Sequence, residues 1–299
     1  MENIKLIKAV SVDNTLGEGV VWNAEDNAVW WTDIQECKLY RYQPDNDVLN
    51  SWKLPERLGS FTFTNKKDWL ICAFAGGFAL YNIKSSKLKW LAKPDSDLIH
   101  TRFNDGKIDR QGRFWAGTMV EGGDTSESGS LYCLYDDSTC SKKETGISIS
   151  NSLCWSPDSR KMYFADSPLH TIYQYDFNPG NGEIENKSIF ATTPDNINPD
   201  GSTIDAEGYL WNAQWGGSQI VRYAANGKPD NVFQMPCSQP TCCTFGGRDL
   251  SYLFVTSARE GLSTSQLNKE PGAGSLFIFE TPFQGMADTQ FQIEDTILY

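Results

Sequence analysis

The sequence predicts an all-β fold, a six-bladed β-propeller with four-stranded blades, and three observations carry that expectation. A pair of short apolar strands joined by a polar turn recurs six times along 299 residues. Anchor residues in the second strand, Trp31, Leu70, Trp115, Tyr163, Trp211 and Phe254, are spaced by 39, 45, 48, 48 and 43 residues, the repeat length of a propeller blade. Helix signals are nearly absent.

The amino terminus, Met1 to Val10, alternates polar and apolar residues as a strand does. It lacks the unbroken apolar core of a secretory signal. The first unit then pairs Val20 to Trp22 with Ala28 to Trp31, and the second pairs Phe61 to Phe63 with Trp69 to Ile71. Lys107 to Asp109 with Arg113 to Trp115 is the third, and Leu153 to Trp155 with Lys161 to Tyr163 the fourth. Thr203 to Asp205 with Tyr209 to Trp211, and Cys243 to Phe245 with Tyr252 to Phe254, complete the set. The turns between them, such as Ser156 to Ser159, are rich in Asp, Asn, Gly, Ser and Pro and suit tight hairpins.

Each unit continues with an alternating third run, for example Lys38 to Tyr42 or Thr171 to Tyr175, and with a weaker fourth, for example Leu49 to Leu54. Period-two alternation marks half-buried strands. The expectation is one domain over residues 1–299, its ring closed by the N-terminal strand joining the last blade. Two long loops, Glu121 to Gly129 and Glu260 to Ala273, are expected on a functional face.

Composition narrows the function. A net charge of −12 and a pI near 4.7 argue against nucleic acid or anionic membrane as partner, because phosphate binding needs clustered Lys and Arg. No apolar run reaches a membrane span. The eight cysteines contain no C-x-x-C pair and read as reduced, buried thiols of a cytoplasmic protein. Only His100 and His170 are present, which disfavours a His-rich zinc site or a Ser-His-Asp triad. Cys242 and Cys243 have no histidine to activate them and receive no role.

In a propeller the first strand of every blade lines the central channel, so equivalent positions converge on the axis. Counting back 10 to 13 residues from each anchor gives Glu18, Ser60, Asn104, Asn151, Asp200 and Cys242. Singly, an acidic residue beside glycine is an ordinary turn residue. Together, at equivalent positions of six repeats, these oxygen donors predict a hard divalent cation: Ca²⁺, Mg²⁺ or Mn²⁺, with Zn²⁺ less expected.

Leu16 to Trp22, Arg102 to Lys107 with Ala116 to Met119, Ile149 to Leu153, and Pro199 to Gly201 with Ile204 to Gly208 resemble the motifs of the SMP-30/gluconolactonase/regucalcin-like family. Thr256 to Arg259 with Gly272 to Gly274 looks like its bacterial branch. The resemblance implies metal-dependent hydrolysis of a sugar lactone, an aldono-1,4- or 1,5-lactone, to the aldonic acid. It also implies Glu18, Asn151 and Asp200 as ligands of one divalent ion, Ca²⁺ foremost. Asp200 would act as general base, and Arg102, Asn104 and Glu121 as substrate contacts. Ser152 departs from a position where the family often has glycine; its hydroxyl is expected to narrow the pocket or tilt Asn151.

Two other functions compete: phosphotriester hydrolysis on the same scaffold, and a non-catalytic calcium- or carbohydrate-binding propeller. Arg102, Asn104 and Glu121 suit a polyol better than an apolar ester. A monomer or small homo-oligomer is expected.

Overall fold

The structure, a computed structural model, describes residues 4–122, 128–294 and 297. Its strands form six antiparallel four-stranded sheets. Blades one to five are consecutive in sequence, over residues 17–53, 58–92, 101–147, 150–192 and 198–234. Blade six joins Pro240–Gly246, Tyr252–Ser257 and Leu276–Glu280 to the N-terminal strand Lys5–Val10. Lys5 pairs with Glu280 and Val10 with Leu276, closing the ring as the alternation of the first ten residues predicts.

Blade faces are apolar because strand side chains alternate, and each face is buried only against its neighbour. The hydrophobic interior is accordingly divided among the seams between blades. Trp30 of blade one packs with Phe61 and Cys72 of blade two, Trp115 of blade three with Leu153 and Trp155 of blade four, and Trp211 of blade five with Phe245 of blade six. Trp31, Trp115 and Trp211 are fully buried. Burial of a large apolar side chain contributes about 1.5–3 kcal/mol, so these repeated anchors hold the ring.

The hairpin turns are fixed by aspartates. Asp109 accepts the Gln111 and Arg113 backbone N–H groups at 2.9 and 3.0 Å, Arg113 Nε at 2.6 Å and Trp115 Nε1 at 3.0 Å. Asp205 does the same in blade five, accepting from Glu207, Tyr209 and Trp211.

After blade six the chain crosses this turn-bearing face. Ala206 N–H donates to Gln284 O, Thr289 Oγ to Asp109 O, and Phe291 N–H to Phe63 O. Nothing in the alternation pattern predicted that segment. The other face carries the two long loops. Residues 260–273 contain the short helix Thr264–Leu267, started by a reciprocal Ser263–Gln266 capping box. Residues 123–127 of the first long loop lie outside the described residues. No helix among the described residues is long and apolar enough to cross a membrane.

Candidate active site at the propeller axis

Every innermost strand carries one extra residue near the axis. From Glu18 to Val21 blade one advances three residues while its partner strand advances two, Thr32 to Trp30. The same irregularity falls between Phe103 and Gly106, Asn151 and Cys154, Pro199 and Ser202, and Pro240 and Cys243, with a shorter one between Leu58 and Ser60. Such bulges break pleat alternation and re-aim side chains. The axial residues therefore lie within the innermost strands, Glu18 standing two residues before the apolar run Val20 to Trp22 of blade one.

Glu18, Asn104, Asn151 and Asp200 are all buried. The carboxyl groups of Glu18 and Asp200, from blades one and five, are close enough for each to influence the other's ionisation. Asn151 Nδ2 donates to Ser167 Oγ at 2.8 Å, leaving its amide oxygen to face Asn104 Nδ2 at 3.2 Å. Asn104 Nδ2 also donates to Ser150 O at 3.0 Å. Blades one and four are anchored alike at this end: Asp33 accepts the Thr15 and Leu16 N–H groups, and Asp166 those of Ser148 and Ile149.

Arg102 and Asn104 share one face, as their spacing predicts, with Arg102 Nη1 donating to Asn104 Oδ1 at 2.7 Å. Arg102 Nε donates to Glu121 Oε1 at 2.7 Å. Glu121 is also gripped by both terminal nitrogens of Arg57, at 2.8 and 2.7 Å. Burial alone would raise the Glu121 carboxyl, but the hydrogen bonds from Arg57 and Arg102 outweigh it and hold it below its ordinary value. Glu121 is thus a charged brace between two arginines.

The axis is electrostatically tense. Burial first, then the charge of Asp105, pushes Glu18 up to about 8, with the Gly19 N–H and Arg102 opposing. Burial and the charges of Glu18 and Asp105 lift Asp200 well above the carboxylate range. Two close carboxyls behave so when no cation compensates them. Among the described residues no group of three or more His, Cys, Asp or Glu is arranged to hold a metal ion. The donors available here are two carboxylates and an amide oxygen, a hard all-oxygen set that fits a divalent ion of the calcium or magnesium type.

Three participants, Asp105, Arg57 and Asn212, escaped the sequence pattern, and Ser152, singled out there, has a different partner from the one expected. Asp105, buried next to Asn104, accepts the Leu153 N–H at 3.1 Å. Arg57 comes from the link that immediately precedes blade two. Ser152, at φ 64°, donates its hydroxyl to the Asp200 carbonyl at 2.5 Å, so it tethers the Asp200 backbone, where a narrowed pocket or a tilted Asn151 was expected. Asn212 Nδ2 reaches the same carbonyl at 2.9 Å and Ser152 Oγ at 3.1 Å. Cys242 packs where a Cβ on Gly201 would come within 2.5 Å of its sulfur, which accounts for both the glycine and the small thiol. All eight cysteines are free.

Six bulged inner strands that bring buried acids and amides to one axis define a propeller with a polar axial centre. The chain belongs to the SMP-30/gluconolactonase/LRE-like family, whose description matches residues 16–259. It is 39% identical to L-arabinolactonase from Azospirillum brasilense over 282 residues, covering 93% of this chain and 92% of that one. It is 31% identical to 6-deoxy-6-sulfogluconolactonase from Pseudomonas putida, with 97% and 99% coverage. Among solved structures, the calcium-binding protein regucalcin from Agrobacterium tumefaciens superposes with a TM-score of 0.90 at 28% identity, covering 98% of this chain and all of that one.

Proposed function

We propose that this protein hydrolyses a sugar lactone to its aldonic acid, with one divalent cation held by Glu18, Asn151 and Asp200. The observation that carries the reading is the interacting pair of buried carboxyls, Glu18 and Asp200, beside the polyol-type arm of Arg102 and Asn104. The lactonase names of two relatives that span nearly the whole chain support the reaction class, and the calcium-binding neighbour supports Ca²⁺ ahead of Mg²⁺, Mn²⁺ or Zn²⁺.

A bound cation supplies Lewis acidity at the lactone carbonyl and charge to balance the oxyanion of the transition state. The residues of this chain do the rest. Asp200, ionised in the working protein, takes a proton from the attacking water. Water oxygen bonds to the carbonyl carbon, the ring C–O bond breaks, and the proton passes to the departing ring oxygen. Arg102 and Asn104 hold ring hydroxyls so that the carbonyl stays over the carboxylate pair. Glu121 and Arg57 keep Arg102 extended, and a remaining Glu121 lone pair is free for a distal hydroxyl.

A second reading, a cation-binding propeller without turnover, is favoured by the calcium-binding neighbour alone. A pH-indicator assay over γ- and δ-aldonolactones, after chelation and with each cation restored, separates the two. Cation-restored acid release supports the lactonase, whereas cation binding with no turnover on any lactone leaves the binding protein.

A further inference from the structure

Five groups from blades three, four and five are joined in one hydrogen-bonded chain, and the chemistry of its two ends fixes the direction of every bond in it. Arg102, at one end, has no acceptor, so its Nη1 donates and Asn104 turns Oδ1 toward it at 2.7 Å. The other half of that amide, Nδ2, then faces Asn151 and donates to its Oδ1 at 3.2 Å. Asn151 in turn donates from Nδ2 to Ser167 Oγ at 2.8 Å. At the far end Ser167 Oγ lies 2.7 Å from the Pro199 carbonyl, the oxygen of the Pro199–Asp200 peptide. A backbone carbonyl only accepts, so the one hydroxyl proton goes to it, and toward Asn151 the Ser167 oxygen can only accept.

Ser167 is itself held on all sides. It opens the 3-10 turn Ser167–Leu169 after the second strand of blade four. Its N–H donates to Ile149 O at 3.1 Å, two residues before Asn151, and its carbonyl accepts the His170 N–H at 2.9 Å. His170 is docked on the link to blade five, its carbonyl accepting the Thr193 N–H at 2.9 Å and its ring Nδ1 donating to Ile197 O at 3.1 Å. Ser167 and Asn151 are both buried, so bulk water does not readily replace the bond between them.

We propose that Ser167 is a positioning residue of the cation centre. Its hydroxyl fixes which end of the Asn151 amide is offered as a ligand, and the same group holds the peptide that carries Asp200. An amide turned the other way would present N–H donors, which a cation repels. In the orientation that Ser167 imposes, Asn104 takes one lone pair of the Asn151 oxygen and the second is left for the ion. A carboxylate needs no such partner, because it offers oxygen whichever way it turns; the one neutral ligand of the set does. This inference rests on the reading of Glu18, Asn151 and Asp200 as cation ligands and adds the group that orients one of them and steadies another.

The test measures Ca²⁺ affinity by titration calorimetry for wild type, Ser167→Ala, Asn151→Asp and the variant carrying both substitutions. Ser167→Ala is expected to weaken Ca²⁺ binding about 10–100-fold, the usual consequence of losing a group that orients a ligand. In the Asn151→Asp background the same substitution should change the affinity by about threefold or less, because the two residues act through one bond. Unchanged affinity in Ser167→Ala overturns the proposal. An equal loss in both backgrounds also overturns it, by marking a packing role. If the wild type binds no Ca²⁺, the cation reading falls separately. In that case, or if Asn151→Asp binds none, hydrogen exchange of the Asn151 side-chain NH₂ group in chelated protein, followed by NMR, decides. Exchange at least about tenfold slower in wild type than in Ser167→Ala upholds the orienting role of Ser167, and equal rates overturn it.

Discussion

Ser152 Oγ donates to the backbone carbonyl of Asp200 at 2.5 Å across the seam between blades four and five, from a residue whose φ of 64° is one that glycine adopts without strain. The hydroxyl thus steadies the backbone that carries the proposed base. Ser152→Gly relieves the backbone while removing the tether. These effects are of similar size, about 1 kcal/mol each, so the melting temperature should stay close to wild type while kcat falls. Ser152→Ala keeps the strained φ and loses the bond, and should melt lower by about 1–3 kcal/mol of stability. Thermal melts and steady-state kinetics of the pair check both outcomes.

The carboxylate pair makes stability depend on pH. Glu18 is raised in the folded chain from an ordinary value of 4.5 to about 8. A raised acid contributes stability that is fully present below its unfolded value and is lost as pH rises through the folded one. Chelated protein should lose melting temperature between about pH 5 and pH 8 more steeply than Glu18→Gln. Saturating Ca²⁺ should flatten the wild-type curve, because the ion favours the charged carboxylates. Melts at fixed ionic strength measure the slope.

The Arg57–Glu121–Arg102 brace separates binding from chemistry. Arg57→Met leaves Glu121 on Arg102 and should raise KM severalfold with kcat little changed. Glu121→Ala strands the buried Arg102 guanidinium. Uncompensated buried charge costs about 3–5 kcal/mol at the upper end, so this variant should lose both stability and turnover, while its Ca²⁺ affinity by titration calorimetry stays near wild type.

Trp115 tests the fold apart from the site. Its ring fills the seam between blades three and four, and its Nε1 donates to Asp109 at 3.0 Å. Trp115→Ala should cost about 3–5 kcal/mol in denaturant melts, with the bound-cation stoichiometry of the surviving folded fraction unchanged.

The blade anchors and the closing strand were legible in the sequence because apolar alternation and repeat length are local signals. The positions of Glu18, Asn104, Asn151 and Asp200 were legible because equivalent repeat positions must meet at the axis. Asp105 was hidden for a physical reason. Neighbours in a regular strand face opposite ways, but the bulge between Phe103 and Gly106 suspends that rule, and Asp105 is buried at the same centre as Asn104. Arg57 and Glu121 are 64 residues apart, and Ser152 and Asp200 are 48 apart; pairings of this kind depend on blade packing and leave no pattern along the chain. The segment over the turn-bearing face bonds to Phe63 of blade two, Asp109 of blade three and Ala206 of blade five, without a period to betray it.

The most direct measurement of the central claim follows Ca²⁺ binding and acid release from arabinono-1,4-lactone on one chelated sample, for wild type and Asp200→Asn. Wild type should bind a single cation and regain turnover in proportion to occupancy, with Asp200→Asn inactive at every cation concentration. Hydrolysis that survives chelation undiminished, or that persists in Asp200→Asn at the wild-type rate, would contradict a cation centre built on Glu18, Asn151 and Asp200.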